Sequence, residues 1–265
     1  MIRVCIAGAT GWVGSALVAA IGKSSQFELT GAVARKAAGQ DVGRALGGAE
    51  AGVVVRASVA EALRAGADVL IDYSHPAAVK ANVLTALAAG VPAVIGTSGL
   101  SSGDFQELEA FARERGLGVI ASGNFSITAA LAKHCALLSA KYLPYREILD
   151  YAQPDKPDVP SGSARELAEC LAQVRPTEIL KPVRELIGPL EARGAAVEGT
   201  QVHSLRLPGY TLAFETVFGL PDERLTIRHD AGTSAQPYVA GTLLAAERVL
   251  ALKGLIRGLD TLLFT

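Results

Sequence analysis

The chain has 265 residues, half of them hydrophobic, and sets 25 Lys and Arg against 26 Asp and Glu. That length suits one large domain or two modest ones, and the near-neutral charge gives no overall attraction for nucleic acid or an anionic membrane, so an anion site must be local. No apolar run reaches the roughly 18 to 20 residues that span a bilayer, and Cys5, Cys135 and Cys170 have neither metal-ligand nor CxxC spacing, which predicts reduced thiols and no metal.

Met1 leads directly into residues 2–7, an apolar segment too short for a signal peptide, so a cytoplasmic protein that opens on a buried strand is expected. Gly8-Ala9-Thr10-Gly11-Trp12-Val13-Gly14 follows, and a helical pattern runs over 12–22. Glycines in this spacing after a strand match a dinucleotide-binding turn: the first bends the chain, the second admits a pyrophosphate, and the third lets helix and strand pack closely. Further strands are expected at 27–33, 52–55, 68–72, 92–95 and 118–121, with helices at 59–64, 76–89 and 104–115, the last preceded by capping residues Ser101 to Asp104. The alternation predicts an α/β, Rossmann-like doubly wound parallel sheet, whose ligands bind beyond the carboxyl ends of the strands. Three such ends carry small or polar residues: the glycine turn, Asp72-Tyr73-Ser74-His75, and Gly96-Thr97-Ser98-Gly99, the last suited to backbone contact with a nicotinamide amide. The second strand runs into Ala34-Arg35-Lys36 with no carboxylate for a ribose hydroxyl, so the two cations favour NADPH, with NADH still open.

After Ser122 to Ser126 the rhythm changes to a helix at 127–142, a strand at 146–152, a helix at 162–173, an unpatterned stretch at 174–199 expected to be a loop or insertion, and strands at 200–206, 210–218 and 223–230. This predicts a second, α+β domain with a mixed or antiparallel sheet. The last helix, 236–252, and the apolar tail from Leu255 need a surface, which the first domain would supply. The expected division is therefore 1–125 plus 232–265 for a dinucleotide-binding domain and 126–231 for a second domain. Within the latter, Lys156 stands just ahead of the helix-opening Ser161-Gly162-Ser163. A helix start offers unpaired N–H groups and partial positive charge to a small carboxylate-bearing substrate, and Lys156 adds a proton or a cation. His203 and Arg206 lie on one strand at a spacing that denies them a shared face, and either could border the substrate.

With these residues in place, the chain resembles the dihydrodipicolinate reductase family, the 4-hydroxy-tetrahydrodipicolinate reductases of lysine and diaminopimelate biosynthesis. The similarity runs through Ile6-Ala7-Gly8-Ala9-Thr10-Gly11, Val69 to Ser74, Val94 to Leu100, Asn124-Phe125-Ser126, Lys156 to Ala164 and Val202 to Arg206. The resemblance implies hydride transfer from NAD(P)H to a conjugated cyclic imine carboxylate, a first domain completed by the C-terminal helix, a central substrate and oligomerisation domain, and a homotetramer or dimer. It implies that Gly8, Gly11 and Gly14 hold the pyrophosphate and Arg35 the adenosine end. Gly96, Thr97 and Gly99 would take the nicotinamide end, with Asn124 and Phe125 at a hinge beside it. Gly162 and Ser163 would bind a substrate carboxylate and Lys156 would face the reacting ring.

Several positions depart from the family pattern. Where members carry Glu-x-His-His-x-x-Lys, this chain has Asp150-Tyr151-Ala152-Gln153-Pro154-Asp155-Lys156, and neither Ala152 nor Gln153 exchanges a proton near neutral pH. Gln153 stays a substrate-binding candidate by position. Trp12 replaces a basic residue of the glycine loop, Ala231 to Ser234 replaces a Ser-Ser-Arg run, and Phe214-Glu215 stands near a Glu-His pair. A reductase of a different imine or quinone-like acceptor, or an NADPH-binding protein without turnover, therefore stays open at this point.

Overall fold

A computed structural model describes residues 1–264 and divides them into two compact units, Met1–Ile127 with the chain from Ala235 onward, and Thr128–Ser234. The first unit builds on β1 (Ile2–Ala7), α1 (Trp12–Ile21), β2 (Phe27–Val33), α2 (Val42–Ala45), β3 (Val55–Arg56), α3 (Val59–Ala62), β4 (Val69–Asp72), α4 (Pro76–Ala88), β5 (Ala93–Ile95), α5 (Ser102–Arg115) and β6 (Gly118–Ala121). The second contains α6 (Ile127–Ala140), β7 (Tyr145–Ala152), α7 (Gly162–Val174), β8 (Ala195–Val197), β9 (Thr200–Arg206), β10 (Leu212–Leu220) and β11 (Glu223–Ala231). The chain then returns to the first through α8 (Gln236–Arg248), β12 (Gly254–Arg257) and α9 (Leu259–Phe264).

All strands of the first unit pair in parallel, in the order β12-β6-β5-β4-β1-β2-β3. Parallel strands are covered on both faces, which is why Val4 to Ala7, Val69 to Ile71 and Ala93 to Ile95 are apolar without alternation and buried throughout. Cys5 belongs to this core, and burial pushes its thiol up to about 12, so it stays protonated and inert. The strand order reverses at β1, whose neighbours are β2 and β4, and this switch point opens the crevice where such sheets bind ligands.

Two differences from the sequence reading have clear causes. The third strand is short because Asp41, which caps α2, also accepts the amides of Ala51 and Val53, folding the preceding segment around its carboxylate. The apolar tail, expected only to need a surface, supplies an edge strand: β12 pairs in parallel with β6 from Gly254↔Gly118 to Arg257↔Ala121. The last long helix ends at Arg248 and tightens into a 3₁₀ turn over Val249–Ala251.

The second sheet is mixed, ordered β11-β10-β7-β9-β8, with β7 and β9 parallel and the other pairs antiparallel. One face packs against α6 and α7, whose Ala129, Ala132, Ala136 and Ala140 and Ala164, Leu167, Ala168 and Leu171 recur at helical spacing against Ile148, Val202, Phe214 and Phe218. The stretch 174–199 holds two 3₁₀ turns and then β8, joined to β9 through Glu198 and Gly199, both at positive φ. Two such residues make the tight hairpin turn whose twist suits paired strands, which the lack of periodicity concealed. Among the described residues no helix is long and apolar enough to cross a membrane, and no group of three or more His, Cys, Asp or Glu is placed to hold a metal.

Candidate active site

At the carboxyl end of β1, Gly8 takes φ +84°, and a Cβ there would lie 2.2 Å from the Tyr73 carbonyl oxygen. A Cβ on Gly14 would lie 2.0 Å from the Gly8 carbonyl oxygen, so the turn and the first turn of α1 pack backbone to backbone. The Gly8 and Ala9 amides donate to the Val33 carbonyl, and Gly11 N–H donates to the Gly8 carbonyl. Gly11 precedes α1 without a capping side chain, so no cap competes for the first amides of the helix, which have the donor chemistry for an anion. Trp12 is 56% exposed and meets Tyr238 of α8 edge to face, ring centroids 5.5 Å apart. Arg35 and Lys36 form an exposed 3₁₀ turn just beyond β2.

A second cluster joins the ends of β4 and β5. Asp72 is fully buried and accepts Ser74 N–H at 3.0 Å, the Ser74 hydroxyl at 2.8 Å, the Thr97 hydroxyl at 2.7 Å and the Asn82 amide at 2.8 Å. The ring of Tyr73 packs on Gly96, where a Cβ would come within 2.1 Å of it. Its hydroxyl lies 2.8 Å from Thr242 Oγ1, which itself donates to the Tyr238 carbonyl, and burial pushes the phenol well above its usual pKa. Phe125 packs edge to face on Tyr73, and Asn124 Oδ1 accepts Ser126 N–H at 2.8 Å. Ser98 and Gly99 are exposed beside them. The glycine turn, Tyr73-Ser74 and Gly96-Thr97 thus share one edge of one sheet.

In the second unit, Asp150 organises the Lys156 loop. Its buried Oδ2 accepts Ser161 N–H at 2.8 Å, the Ser204 hydroxyl at 2.9 Å and Arg206 Nη2 at 2.8 Å. Burial works to raise its pKa, but these hydrogen bonds outweigh it and hold the carboxyl below its usual range. Arg206 Nη2 also donates to the Asp158 carbonyl at 2.8 Å, tying the loop to β9. Ser161 caps α7 by accepting Ala164 N–H. Between these anchors, the Asp158 carboxylate receives Lys156 Nζ on Oδ1 at 2.8 Å and Gly162 N–H on Oδ2 at 3.2 Å. Those contacts likewise overcome burial and lower the Asp158 pKa. Ser163 follows in the first turn of α7, half-buried, and Gln153 is exposed with its carbonyl accepting Lys156 N–H.

His203 does not join this loop. β9 pairs with β7 so that Ser204 and Arg206 reach Asp150, whereas His203, on the alternate face, lies 2.7 Å from Glu147 Oε2 in a cluster with Arg193. Arg206 is therefore the strand residue that borders the loop, and the substrate-binding expectation for His203 finds no support in its contacts. Sequence reasoning also passed over Asp72, Asp150 and Asp158. Each stands within a few residues of one it singled out, but an aspartate becomes a hub only through the donors that folding brings to it.

Two family models cover the chain: the dihydrodipicolinate reductase N-terminus matches residues 2–125 and its C-terminus residues 125–263. The 4-hydroxy-tetrahydrodipicolinate reductase of Thermosynechococcus vestitus is 38% identical over 268 residues, covering 99% of this chain and 97% of that protein. That of Moorella thermoacetica is 37% identical over 264 residues, covering 99% and 98%. Among solved structures, a dipicolinate-bound dihydrodipicolinate reductase from Paenisporosarcina sp. TG-14 superposes with a TM-score of 0.87 at 31% identity, covering 98% of this chain and 99% of that one.

Proposed function

As a member of the dihydrodipicolinate reductase family, this chain is an NAD(P)H-dependent oxidoreductase of the lysine pathway, and we propose that it reduces a conjugated cyclic imine carboxylate held at the Lys156 loop, with NADPH as the preferred donor. The observation that carries this reading is the Asp158 carboxylate, gripped by the Lys156 ammonium and the Gly162 amide. A cation and a helix-start N–H that already converge on one carboxylate have the donor chemistry to hold a substrate's. Dipicolinate, which the Paenisporosarcina reductase binds, carries such groups on a ring.

The uncapped start of α1 and the close approach at Gly8 and Gly14 fit a pyrophosphate. Arg35 and Lys36 suit a 2′-phosphate, and Tyr73, Ser74, Gly96 and Thr97 suit the nicotinamide end. A reduced nicotinamide bound there supplies the hydride. Ser163 and Gly162 orient the substrate carboxylate, and Lys156 offsets the negative charge that develops on the ring nitrogen or protonates it. General acid help of this kind contributes about 10²–10⁴ in rate, and neither Ala152 nor Gln153 can give it near neutral pH. Assembly as a homotetramer or dimer, which the family resemblance implies, and a cytoplasmic location complete the proposal.

The test is NADPH oxidation by wild type and Lys156→Ala with 4-hydroxy-tetrahydrodipicolinate beside a panel of other imines and quinones. Turnover of the dipicolinate precursor falls at least tenfold in the variant at nearly unchanged NADPH affinity. Equal turnover removes Lys156 from the mechanism, and a preference for another acceptor moves the substrate assignment to it.

A further inference from the structure

We infer that Arg56 is a third cation at the adenosine end of the coenzyme, so that preference for NADPH is set by the ends of two strands and not by the Arg35-Lys36 turn alone. The inference rests on the placement of the 2′-phosphate at that turn proposed above.

Arg56 carries no local mark in the sequence, since a long connection separates it from Lys36 and only strand pairing brings it back. β2 and β3 run parallel with Ala32↔Val55 and Val33↔Arg56, so Arg56 closes β3 level with the last residue of β2. Both strands therefore present their carboxyl ends to the edge where sheets of this kind bind ligands. Backbone bonds then lace the cationic turn to β3. Ala34 N–H, just ahead of Arg35, donates to the Arg56 carbonyl at 3.1 Å. Gly39 N–H, just past the turn, donates to the Val55 carbonyl at 2.9 Å, and Val55 N–H donates to the Gln40 carbonyl at 2.8 Å. The turn is thus fastened at both ends to the two residues of β3. Neighbouring strands lie about 4.8 Å apart, a gap that an arginine side chain spans.

Three cations gathered at one edge repel one another, and no carboxylate is committed to them. Asp41, the first acid after the turn, has its carboxylate filled by the amides of Gly43, Arg44, Ala51 and Val53. Glu28 and Glu61 border a groove with Arg56, yet neither pairs with it. Among the described residues, the side chains of Arg35, Lys36 and Arg56 make no hydrogen bond or ion pair, and all three are exposed. An uncompensated cluster of this kind suits a multiply charged anion, and the planar fork of an arginine matches phosphate oxygens. The ribose 2′-phosphate of NADPH is such a group, and NADH lacks it.

The probes are 2′,5′-ADP, which carries the ribose 2′-phosphate, and 5′-AMP, which does not, titrated calorimetrically into the full chain at low ionic strength. Arg56→Gln weakens binding of 2′,5′-ADP about fivefold or more, the loss of one charge-assisted contact at an exposed site, and leaves 5′-AMP unchanged. Arg56→Lys, which keeps the charge without the fork, recovers part of that loss. Steady-state assays show the same shift as a rise in the KM for NADPH alone. Equal weakening of both nucleotides, as from loss of stacking on adenine, overturns the inference, and so does unchanged binding of both, while the 2′-phosphate keeps its place at Arg35. Wild type that binds 2′,5′-ADP no more tightly than 5′-AMP overturns the NADPH preference itself.

Discussion

Replacing Arg206 with Met tests the loop's anchorage most severely. The guanidinium bonds Asp150 Oδ2 and the Asp158 carbonyl, both at 2.8 Å, with the arginine 14% exposed and the aspartate fully buried. Removing one partner of a buried pair costs about 3–5 kcal/mol, because the remaining charge is stranded. Asp150 keeps Ser161 N–H and the Ser204 hydroxyl, which places the loss near the lower end, about 3 kcal/mol. For a chain of this size that is a fall of roughly 6–12 °C in melting temperature at pH 7. The pH dependence has a definite sign. A carboxyl whose folded pKa is depressed stabilises above its unfolded value, about 3.9, and that stabilisation is lost as pH falls through the folded pKa. Without Arg206 the Asp150 pKa rises, so the gap between wild type and variant is full at neutral pH and narrows below about pH 4. Adding Asp150→Asn to the variant removes the stranded charge and restores part of the loss. Thermal melts of the three proteins across pH decide the matter. A fall under 2 °C at pH 7, or a gap as wide in acid as at neutrality, refutes the argument from a buried ion pair.

Two further outcomes follow from the coenzyme and substrate groups. Arg35→Ala raises the KM for NADPH about tenfold and leaves that for NADH nearly unchanged in steady-state assays, and an equal loss for both coenzymes excludes a role at the 2′-phosphate. Asp158→Asn frees Lys156 and the Gly162 amide from an internal competitor, so the KM for the imine carboxylate falls by up to about fivefold, the ceiling for a partly exposed pair, at constant NADPH affinity. A rise in KM would show that Asp158 supports the substrate instead of competing with it.

The first unit's architecture was legible because parallel strands covered on both faces must be apolar along their buried length, and Val4 to Ala7, Val69 to Ile71 and Gly118 to Ala121 satisfy that without help from distant residues. Its edges were not. Two residues of β3 and four of β12 are too few for a pattern to declare itself, and both owe their pairing to strands that fold elsewhere in the sequence. The start of α7 was legible for a local reason: Ser161 caps it from the position where capping residues stand.

The chemistry of the candidate site was legible to the same depth and no further. Glycine spacing, the lysine before a helix start and the paired cations after β2 are local patterns, and each maps onto a strand end or helix start. The aspartates that organise these groups carry no such mark. Asp72 gathers Thr97 from 25 residues away, and Asp150 gathers Ser161 from 11 residues away and Arg206 from 56. A buried carboxylate is stable only when enough donors meet it, so its position in the fold says which segments must arrive together. His203 illustrates the converse. Alternation along β9 required that it and Arg206 part company, but only the register with β7, Asp150↔Ser204 and Ala152↔Arg206, decided which of them faces the loop. The departures at Ala152 and Gln153 have the same lesson for the reaction. Ala152 is buried in that register while Gln153 is exposed, and neither carries a proton to give, so the proposed mechanism draws the proton for the reduced ring from Lys156 or from water, and substitution of the lysine separates the two.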